Sequence, residues 1–253
     1  MRDDPRRYAL EHAHYDEDLD FWRREARERG GPVLDLGCAV GRVAIPLARD
    51  GAEVWALDSS PGMLAELAAQ LRAEPPEVAR RLHPVLADMR DFRLEPRFAL
   101  VIAAMNTLQT LLVPDDQLAC LRAIRAHLAP DGELLFDVAV PDPAEIQGTL
   151  GLVRRTGRHH DAARDVTLLH SAWYESFDPI SQTLRFAIQV DEIAADGRVS
   201  RYLRHHVVHL FYPTELRHLL ARSGLDVLEV AGDFDGSPVG AGSERQVYRC
   251  RAA

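Results

Sequence analysis

Residues 32–60 read PVLDLGCAVGRVAIPLARDGAEVWALDSS, and this stretch decides the fold class. Its apolar run Val33–Leu36 is typical of a buried parallel strand, and a turn with two glycines follows. A helical pattern comes next, and a second apolar run, Val54–Leu57, ends at Asp58. Strand, glycine turn, helix, strand and acid together make half of a nucleoside-binding α/β unit.

The spacing of the glycines indicates which nucleoside ligand the turn accepts. A dinucleotide fold needs G-x-G-x-x-G, so that a pyrophosphate can sit on the helix N-terminus. Here only Gly37 and Gly41 are present, and Ala39 stands at the middle glycine position. Asp58 follows about 20 residues past the turn, where a carboxylate can accept both ribose hydroxyls, and Asp35, just before the turn, can receive an amino group. A ligand with an adenosine, no phosphates and an amino-acid end therefore fits better than NAD.

DLGCAVGR at residues 35–42 and ALDSSPGML at residues 56–64 resemble motif I and its acidic partner in class I S-adenosylmethionine-dependent methyltransferases. The usual family turn is G-C-G-T-G, so the sequence departs from it at Ala39 and Val40. The resemblance implies an α/β fold with a Rossmann-like, doubly wound sheet of seven strands in the order 3-2-1-4-5-7-6. It also implies S-adenosyl-L-methionine as cofactor, S-adenosyl-L-homocysteine as product, and cofactor contacts from Asp35, Gly37, Gly41 and Asp58.

The end of the third strand carries further cofactor candidates. Leu82–Leu86 is predicted as this strand, and it runs into ADMRDF, which resembles the corresponding segment of the amino-sugar N-methyltransferases. The resemblance implies that Asp88 accepts the exocyclic N–H of the adenine and that the Met89 backbone donates to the ring. In the family the methionine at Met63 packs on the adenine or ribose, although core packing alone would also explain it.

The fourth strand, Phe98–Ile102, is predicted to end next to the reacting groups. The resemblance implies that the backbone of Met105 touches the cofactor and that Asn106 faces the substrate. The alternative for Asn106 is a helix N-cap, a position for which asparagine is well suited.

Two local patterns predict how the elements in between begin and end. Ser60 followed by Pro61 indicates a helix that starts with Ser60 as its N-cap. Residues 74–81 are predicted to be a Pro-rich, charged connection.

The chain is predicted to consist of a cofactor domain with two additions. Residues 31–140 and 212–253 make the S-adenosylmethionine-binding, Rossmann-like domain, and residues 1–30 a helical lid. Within residues 141–211, apolar and polar residues alternate between hairpin signals, which predicts about four antiparallel strands inserted after the fifth strand. The resemblance implies that this insertion builds the substrate pocket and part of a homodimer surface. A purely structural dimerisation sheet is the alternative.

Tyr15 and His206 are the predicted catalytic residues. Methyl transfer needs mainly in-line positioning, because the sulfonium is already an activated electrophile, so a hydroxyl or imidazole that orients the nucleophile suffices. Tyr15 matches a Tyr-Asp pair on the segment that closes over the active site in sugar N-methyltransferases; docking of the first helices is the alternative. His206 aligns with a histidine of their insertion, with an ordinary sheet position as the alternative. No metal site is expected, because the histidines have no acid or cysteine at ligand spacing.

The composition argues against several other classes. A net charge of −9 with a pI near 5.6 leaves no basic surplus for phosphates, so nucleic acid is not expected as a partner. The chain contains no lysine, which rules out Schiff-base and P-loop lysine chemistry. Three widely spaced cysteines fit a reducing cytoplasm, and no apolar run reaches the length of a membrane span. We therefore expect a cytoplasmic protein without a membrane partner.

These patterns predict an S-adenosylmethionine-dependent methyltransferase that acts on a small-molecule acceptor. From the resemblance, the preferred acceptor atom is an amine nitrogen, for example on a nucleotide-linked sugar. Two alternatives stay open: an O- or C-methyltransferase of small molecules, and a non-catalytic domain that binds S-adenosylmethionine.

Overall fold

The computed structural model describes residues 5–12, 15–162, 164–240 and 242–253, so residues 1–4, 13 and 14 of the predicted lid lie outside the described residues. The strands are β1 (Pro32–Leu36), β2 (Glu53–Asp58), β3 (Leu82–Leu86), β4 (Phe98–Ala103), β5 (Leu128–Ala139), β6 (Arg154–Asp161), β7 (Val166–Asp178), β8 (Thr183–Ala194), β9 (Val199–His209), β10 (Leu225–Ala231) and β11 (Arg245–Ala252). The α-helices are α1 (Pro5–His12), α2 (Leu19–Arg29), α3 (Ala44–Arg49), α4 (Pro61–Leu71), α5 (Pro76–Arg81), α6 (Pro114–His127), α7 (Pro143–Thr149) and α8 (Pro213–Arg222), and a 3-10 turn covers Thr107–Thr110.

The chain divides into two compact units. The first contains residues 15–140 and 211–253, and the second contains residues 6–12 and 141–210. No helix within the described residues is long and apolar enough to cross a membrane.

The first unit is built on a seven-stranded sheet in the order β3-β2-β1-β4-β5-β11-β10. The five strands from β3 to β5 are parallel, and β11 pairs antiparallel with β5 on one side and with β10 on the other. Since β10 and β11 are the sixth and seventh strands of this sheet, the predicted order 3-2-1-4-5-7-6 is confirmed. The carboxyl ends of the parallel strands meet at one edge, which is where ligands bind in open α/β sheets.

Both faces of this sheet are buried, which explains why its strands are continuous apolar runs. One face packs Leu34 and Leu36 of β1 together with the residues of α6 and α8. The other face packs Val33 against the helices α2, α3 and α4. Because side chains alternate along a strand, Asp35 shares the face of Val33 and lies under the start of α3.

The second unit contains a four-stranded antiparallel sheet in the order β6-β7-β8-β9. This separate sheet follows β5 in the chain, as the alternating pattern of residues 141–211 predicted. Its core is small: Val166, Leu168 and Val190 form one cluster, and Ile146, Leu184 and Leu210 form another.

Two local predictions differ in outcome. Ser60 is the N-cap of α4 and its Oγ accepts the N–H of Met63 at 3.4 Å, so the predicted helix start is confirmed. The predicted Pro-rich, charged connection over residues 74–81 contains a helix that the sequence patterns did not indicate, since α5 occupies Pro76–Arg81. Two consecutive prolines obscured this helix, although Pro76 at its first turn costs no hydrogen bond there.

Candidate active site at the strand ends

The glycine turn after β1 needs glycine at both of its ends. Gly37 has φ 73° and Gly41 has φ 89°, a backbone region that favours glycine. A Cβ on Gly37 would lie 2.7 Å from Cγ2 of Thr107, and one on Gly41 would lie 2.5 Å from Cδ1 of Leu67. The glycines therefore allow close packing of the turn on the protein itself, in addition to the backbone conformation.

Ala39 takes a left-handed conformation in the middle of this turn, with φ 47°. A residue with a Cβ pays roughly 1–2 kcal/mol there, which gives the physical reason for the glycine in the usual G-C-G-T-G turn. The N–H of Ala39 donates to Oδ2 of Asp58 at 2.9 Å. Strain at this alanine is thus offset by a charged hydrogen bond from the neighbouring strand end.

Asp58 joins the turn after β1 to the helix start after β2. Its Oδ2 accepts from Ala39 and its Oδ1 accepts from the N–H of Ser60 at 2.8 Å. A carboxylate has about four acceptor positions across its two oxygens. Ribose hydroxyls are donors that such a group can accept.

Asp35 is a buried acid with an orphaned oxygen. Only 3% of the residue is exposed, and no group among residues 5–12, 15–162, 164–240 and 242–253 donates a hydrogen bond to its Oδ2. Burial raises the pKa of Asp35 to about 7, with Asp58 adding to the rise and Arg42 opposing it. A buried carboxylate oxygen without a donor is costly unless a ligand supplies one, and a ligand's ammonium group would do so.

A buried ion pair joins the end of the glycine turn to the start of α2. The guanidinium of Arg42 donates to Asp18 through Nη1 and Nη2, at 2.6 and 2.7 Å, and Trp22 Nε1 donates to the same carboxylate at 2.8 Å. Asp18 is fully buried. Sequence reasoning missed both residues of this pair, although Arg42 follows Gly41 directly and offered a signal.

Tyr15 lies beside this pair. The Arg42 guanidinium stands 5.0 Å from the centre of the Tyr15 ring, and Nη1 of Arg245 donates to the Tyr15 hydroxyl at 3.3 Å. Burial, with Asp18 and Asp137 nearby, raises the pKa of Tyr15 to about 12. The hydroxyl therefore stays protonated at neutral pH and can orient a neighbouring group but not act as its base.

The residues after β4 are held in an unusual backbone conformation. Met105 and Asn106 both have positive φ, 56° and 61°. The N–H of Met105 donates to Oδ1 of Asp137 at 2.6 Å, and Oδ1 of Asn106 accepts the N–H of Ala139 at 2.7 Å. Asn106 occupies the N-cap position of the 3-10 turn, as the alternative predicted, but its side chain makes no capping hydrogen bond there. The carboxamide is instead used to join the ends of β4 and β5.

Asp137 is the functional candidate that sequence reasoning overlooked most clearly. It is 4% exposed, at the carboxyl end of β5, and burial raises its pKa to about 6. An acid inside an apolar strand at this edge of the sheet was a visible signal, the same one that drew attention to Asp58 and Asp88.

Asp88 follows β3 and forms a salt bridge with Arg90, two residues later in the chain. Arg90 donates to it through Nε at 2.9 Å and Nη2 at 2.6 Å, and this pairing lowers the pKa of Asp88. Met89 is half-buried and Met63 is 4% exposed. The N–H of Ala87 donates to the Asp58 carbonyl at 3.1 Å, which keeps this strand end beside that of β2.

The strand ends of the first unit thus bring together four acids and two arginines. Asp18, Asp35, Asp58 and Asp137 lie near enough to perturb the pKa of one or more neighbouring groups, with Arg42 and Arg245 as the opposing charges. An excess of buried negative charge suits a ligand with positive groups. A sulfonium nucleoside with an amino-acid end has two such groups.

His206 belongs to the second unit. Its ring stacks on Phe186, with centroids 4.8 Å apart, and its Nε2 lies 3.8 Å from Oε2 of Glu11. Burial, with Arg204 nearby, lowers the pKa of His206 to about 4, so the imidazole is neutral at pH 7. Within the described residues, no group of three or more His, Cys, Asp or Glu side chains could hold a metal ion.

Comparisons with known proteins give matches over the same region and over the whole chain. A family model described as a methyltransferase domain matches residues 33–132. The cypemycin N-terminal methyltransferase of a Streptomyces species is 29% identical over 218 residues, which cover 86% of this chain and 82% of that protein.

Solved structures give the same result for the fold. The CcbJ methyltransferase from Streptomyces caelestis is similar with a TM-score of 0.78 and 29% identity, over 94% of this chain and 90% of that one. CalS10 from Micromonospora echinaspora, an amino pentose methyltransferase solved with S-adenosylmethionine bound, has a TM-score of 0.71 and 21% identity, over 100% and 98%.

Proposed function

We propose that this chain acts as an S-adenosylmethionine-dependent methyltransferase with the class I fold and that it methylates an amine nitrogen of a small molecule. The observation that carries the proposal is Asp35, whose buried Oδ2 lacks a donor within the described part of the chain. That oxygen lies at the glycine turn, where the amino-acid end of the cofactor would need an anionic partner.

We propose that the cofactor is held by the residues at the strand ends of the first unit. Asp35 would receive its ammonium group, the turn from Gly37 to Gly41 would cover its amino-acid end, and Asp58 would accept the ribose hydroxyls. Asp88, Met89 and Met63 would contact the adenine, and the Met105 backbone the methyl-bearing end. The residues fit this group, because the orphaned Oδ2 of Asp35 and the carboxylate of Asp58 occur where its donors would lie.

The chemistry follows from positioning and exclusion of water. When bound, the cofactor supplies an activated methyl group on a sulfonium, so the chain needs to hold the acceptor in line and keep water out. An amine must be neutral to present its lone pair. The Tyr15 oxygen can accept an N–H of such an amine while Arg245 donates to the same oxygen, which would leave the amine lone pair free to react.

His206 stays a predicted catalytic residue. Its lowered pKa indicates a neutral imidazole. Such a ring can accept a hydrogen bond from the substrate that receives the methyl group, or take up a proton from it. Asn106 stays a predicted substrate contact, although its Oδ1 already accepts the Ala139 N–H, which leaves mainly its NH₂ group for a ligand.

The choice of an amine is supported by the names of similar proteins, an N-terminal methyltransferase and an amino pentose methyltransferase. The experiment is to incubate the protein with methyl-labelled S-adenosylmethionine and a panel of amino sugars, nucleotide-linked amino sugars, peptides with free N-termini, and phenols. Label on an amine supports the proposal, and label only on phenols or carbon would favour the O- or C-methyltransferase. Cofactor binding without transfer to any member of a broad panel would favour a non-catalytic domain.

A further inference from the structure

Two side chains fasten the ends of β4 and β5 to each other in opposite directions. Asp137 on β5 accepts the N–H of Met105, and Asn106, just after β4, accepts the N–H of Ala139. The two strands are in register up to Ala103 and Phe136. We call these two hydrogen bonds, Met105 N–H to Asp137 and Ala139 N–H to Asn106, the side-chain lock. They begin where the backbone pairing of β4 and β5 ends.

The backbone that this lock holds would not adopt its conformation unaided. Met105 and Asn106 are consecutive residues with positive φ, and neither is glycine. Met105 costs roughly 1–2 kcal/mol in the left-handed region, and Asn106 costs less because asparagine tolerates that region. Successive backbone N–H groups of a turn can point towards one anion. The Asp137 carboxylate is that anion, since it receives hydrogen bonds from the N–H groups of both Met105 and Asn106.

Asp137 lowers the free energy of unfolding at its position, so stability alone does not explain its presence. It is 4% exposed and sits between Phe136 and Val138, in a strand whose other buried residues are apolar. Burial of a carboxylate is unfavourable, and Asp18 nearby makes it more so, with Arg245 in opposition. A second costly feature, the strained turn, lies against it. Coincident strain and buried charge are typical of a functional site.

The held segment leads directly to the glycine turn. Thr107 is the residue whose Cγ2 would meet a Cβ on Gly37 at 2.7 Å, so the chain after Asn106 packs tightly on that turn. If Met105 and Asn106 relaxed to ordinary backbone angles, the direction of the chain into Thr107 would change. The turn proposed to hold the cofactor would then lose its packing partner.

We propose that Asp137 is a positioning residue for methyl transfer: its carboxylate holds Met105 and Asn106 in the left-handed conformation that presents this segment to the cofactor. The inference rests on the proposed function, because the segment matters only if the cofactor binds at the strand ends. Asp137 acts through the backbone of Met105 and Asn106 and needs no contact with the reacting atoms.

The test is a double-mutant cycle with Asp137→Asn and Met105→Gly, read out as the affinity for S-adenosylhomocysteine by calorimetry. Asparagine keeps the shape of the side chain but offers one acceptor oxygen, so one of the two N–H groups would face an NH₂ donor. Glycine at position 105 reaches positive φ without the penalty of a Cβ, and it keeps the backbone N–H. Asp137→Asn should weaken binding about 10-fold in the wild-type background and less than about 3-fold in the Met105→Gly background.

The outcomes separate positioning from general structural support. Equal losses in the two backgrounds, or no loss from Asp137→Asn alone, would overturn the inference. Asn106→Ala, which removes the other arm of the lock, should weaken binding in the same direction and provides the test if Asp137→Asn does not fold. The exposed Asp226→Asn on β10 is the matched control and should bind as wild type does. If the wild-type protein itself fails to bind S-adenosylhomocysteine, the proposed function is refuted. That measurement is independent of the variants, so the two failures can be distinguished.

Discussion

Because of Asp35, we expect the affinity for the cofactor to increase as the pH is raised from 5.5 to 7. Its carboxyl is buried, its pKa is raised to about 7, and only the ionised form can pair with an ammonium group. Between pH 5.5 and pH 7 the ionised fraction of such a group rises from about 3% to about 50%. Affinity for S-adenosylhomocysteine should therefore increase about fifteen-fold over this range.

Isothermal titration calorimetry at a series of pH values measures this change directly, and buffers of different ionisation enthalpy report the proton that Asp35 releases on binding. Asp35→Asn is the control, because it cannot ionise. This variant should bind more weakly at pH 7.5 and should lose most of the pH dependence. If Asp35→Asn kept the slope of the wild-type protein, another group would be responsible, and the placement of the ammonium group at Asp35 would be refuted.

The same substitution should have the opposite effect on the stability of the ligand-free protein. The folded-state pKa of Asp35, about 7, lies above its unfolded value of 3.8. The stability that the protonated acid contributes is thus fully present below pH 3.8 and is lost as the pH rises through 7, by about 4 kcal/mol at most. Asp35→Asn should therefore unfold at a higher Tm than wild type at pH 8. A lower Tm there would contradict the burial cost assigned to this acid.

Three further substitutions test other parts of the account. Ala39→Gly should raise the free energy of unfolding in urea by about 1 kcal/mol, because glycine has no Cβ penalty at φ 47°; a loss of stability would contradict the strain. Asp58→Ala should weaken binding of S-adenosylmethionine by about 2–4 kcal/mol through lost charged hydrogen bonds, and unchanged affinity by calorimetry would count against its role with the ribose. His206 has a folded pKa near 4 and an unfolded value of 6.5, so its stabilising effect is present above pH 6.5 and disappears as the pH falls through 4. When the pH falls from 7 to 4.5, the free energy of unfolding should therefore decrease by about 2 kcal/mol less in His206→Phe than in the wild-type protein. Urea titrations at the two pH values measure this, and equal decreases would show that His206 is not buried in its neutral form.

The fold was predictable because several local signals agree. The apolar runs, the glycine turn and the acid at Asp58 define one β-α-β unit, and repetition of that unit fixes a parallel sheet. Alternating residues over 141–211 identified the inserted antiparallel sheet, because the side-chain period of two is distinct from the continuous apolar runs before it. The helix α5 was missed because its prolines also favour irregular structure.

The interactions of the site were less predictable than its residue types. Asp18 and Arg42 are 24 residues apart, and the sequence carries no signal that they pair. The role of Asn106 depends on a left-handed backbone that asparagine tolerates but does not require, so an N-cap was an equally reasonable interpretation. The rule that acids at the carboxyl ends of strands face the ligand crevice would have identified Asp137 as a candidate. It was overlooked because the fifth strand matched no part of the family pattern used for the other strand ends.

The most direct measurement is equilibrium dialysis of the purified protein against methyl-labelled S-adenosylmethionine, with S-adenosylhomocysteine and NADH as competitors. A single crevice at the strand ends with Asp35, Asp58 and Asp137 predicts one saturable site per chain, from which S-adenosylhomocysteine displaces the label and NADH does not. Saturable displacement by NADH, or no retained label at millimolar cofactor, would contradict a crevice built for a sulfonium nucleoside.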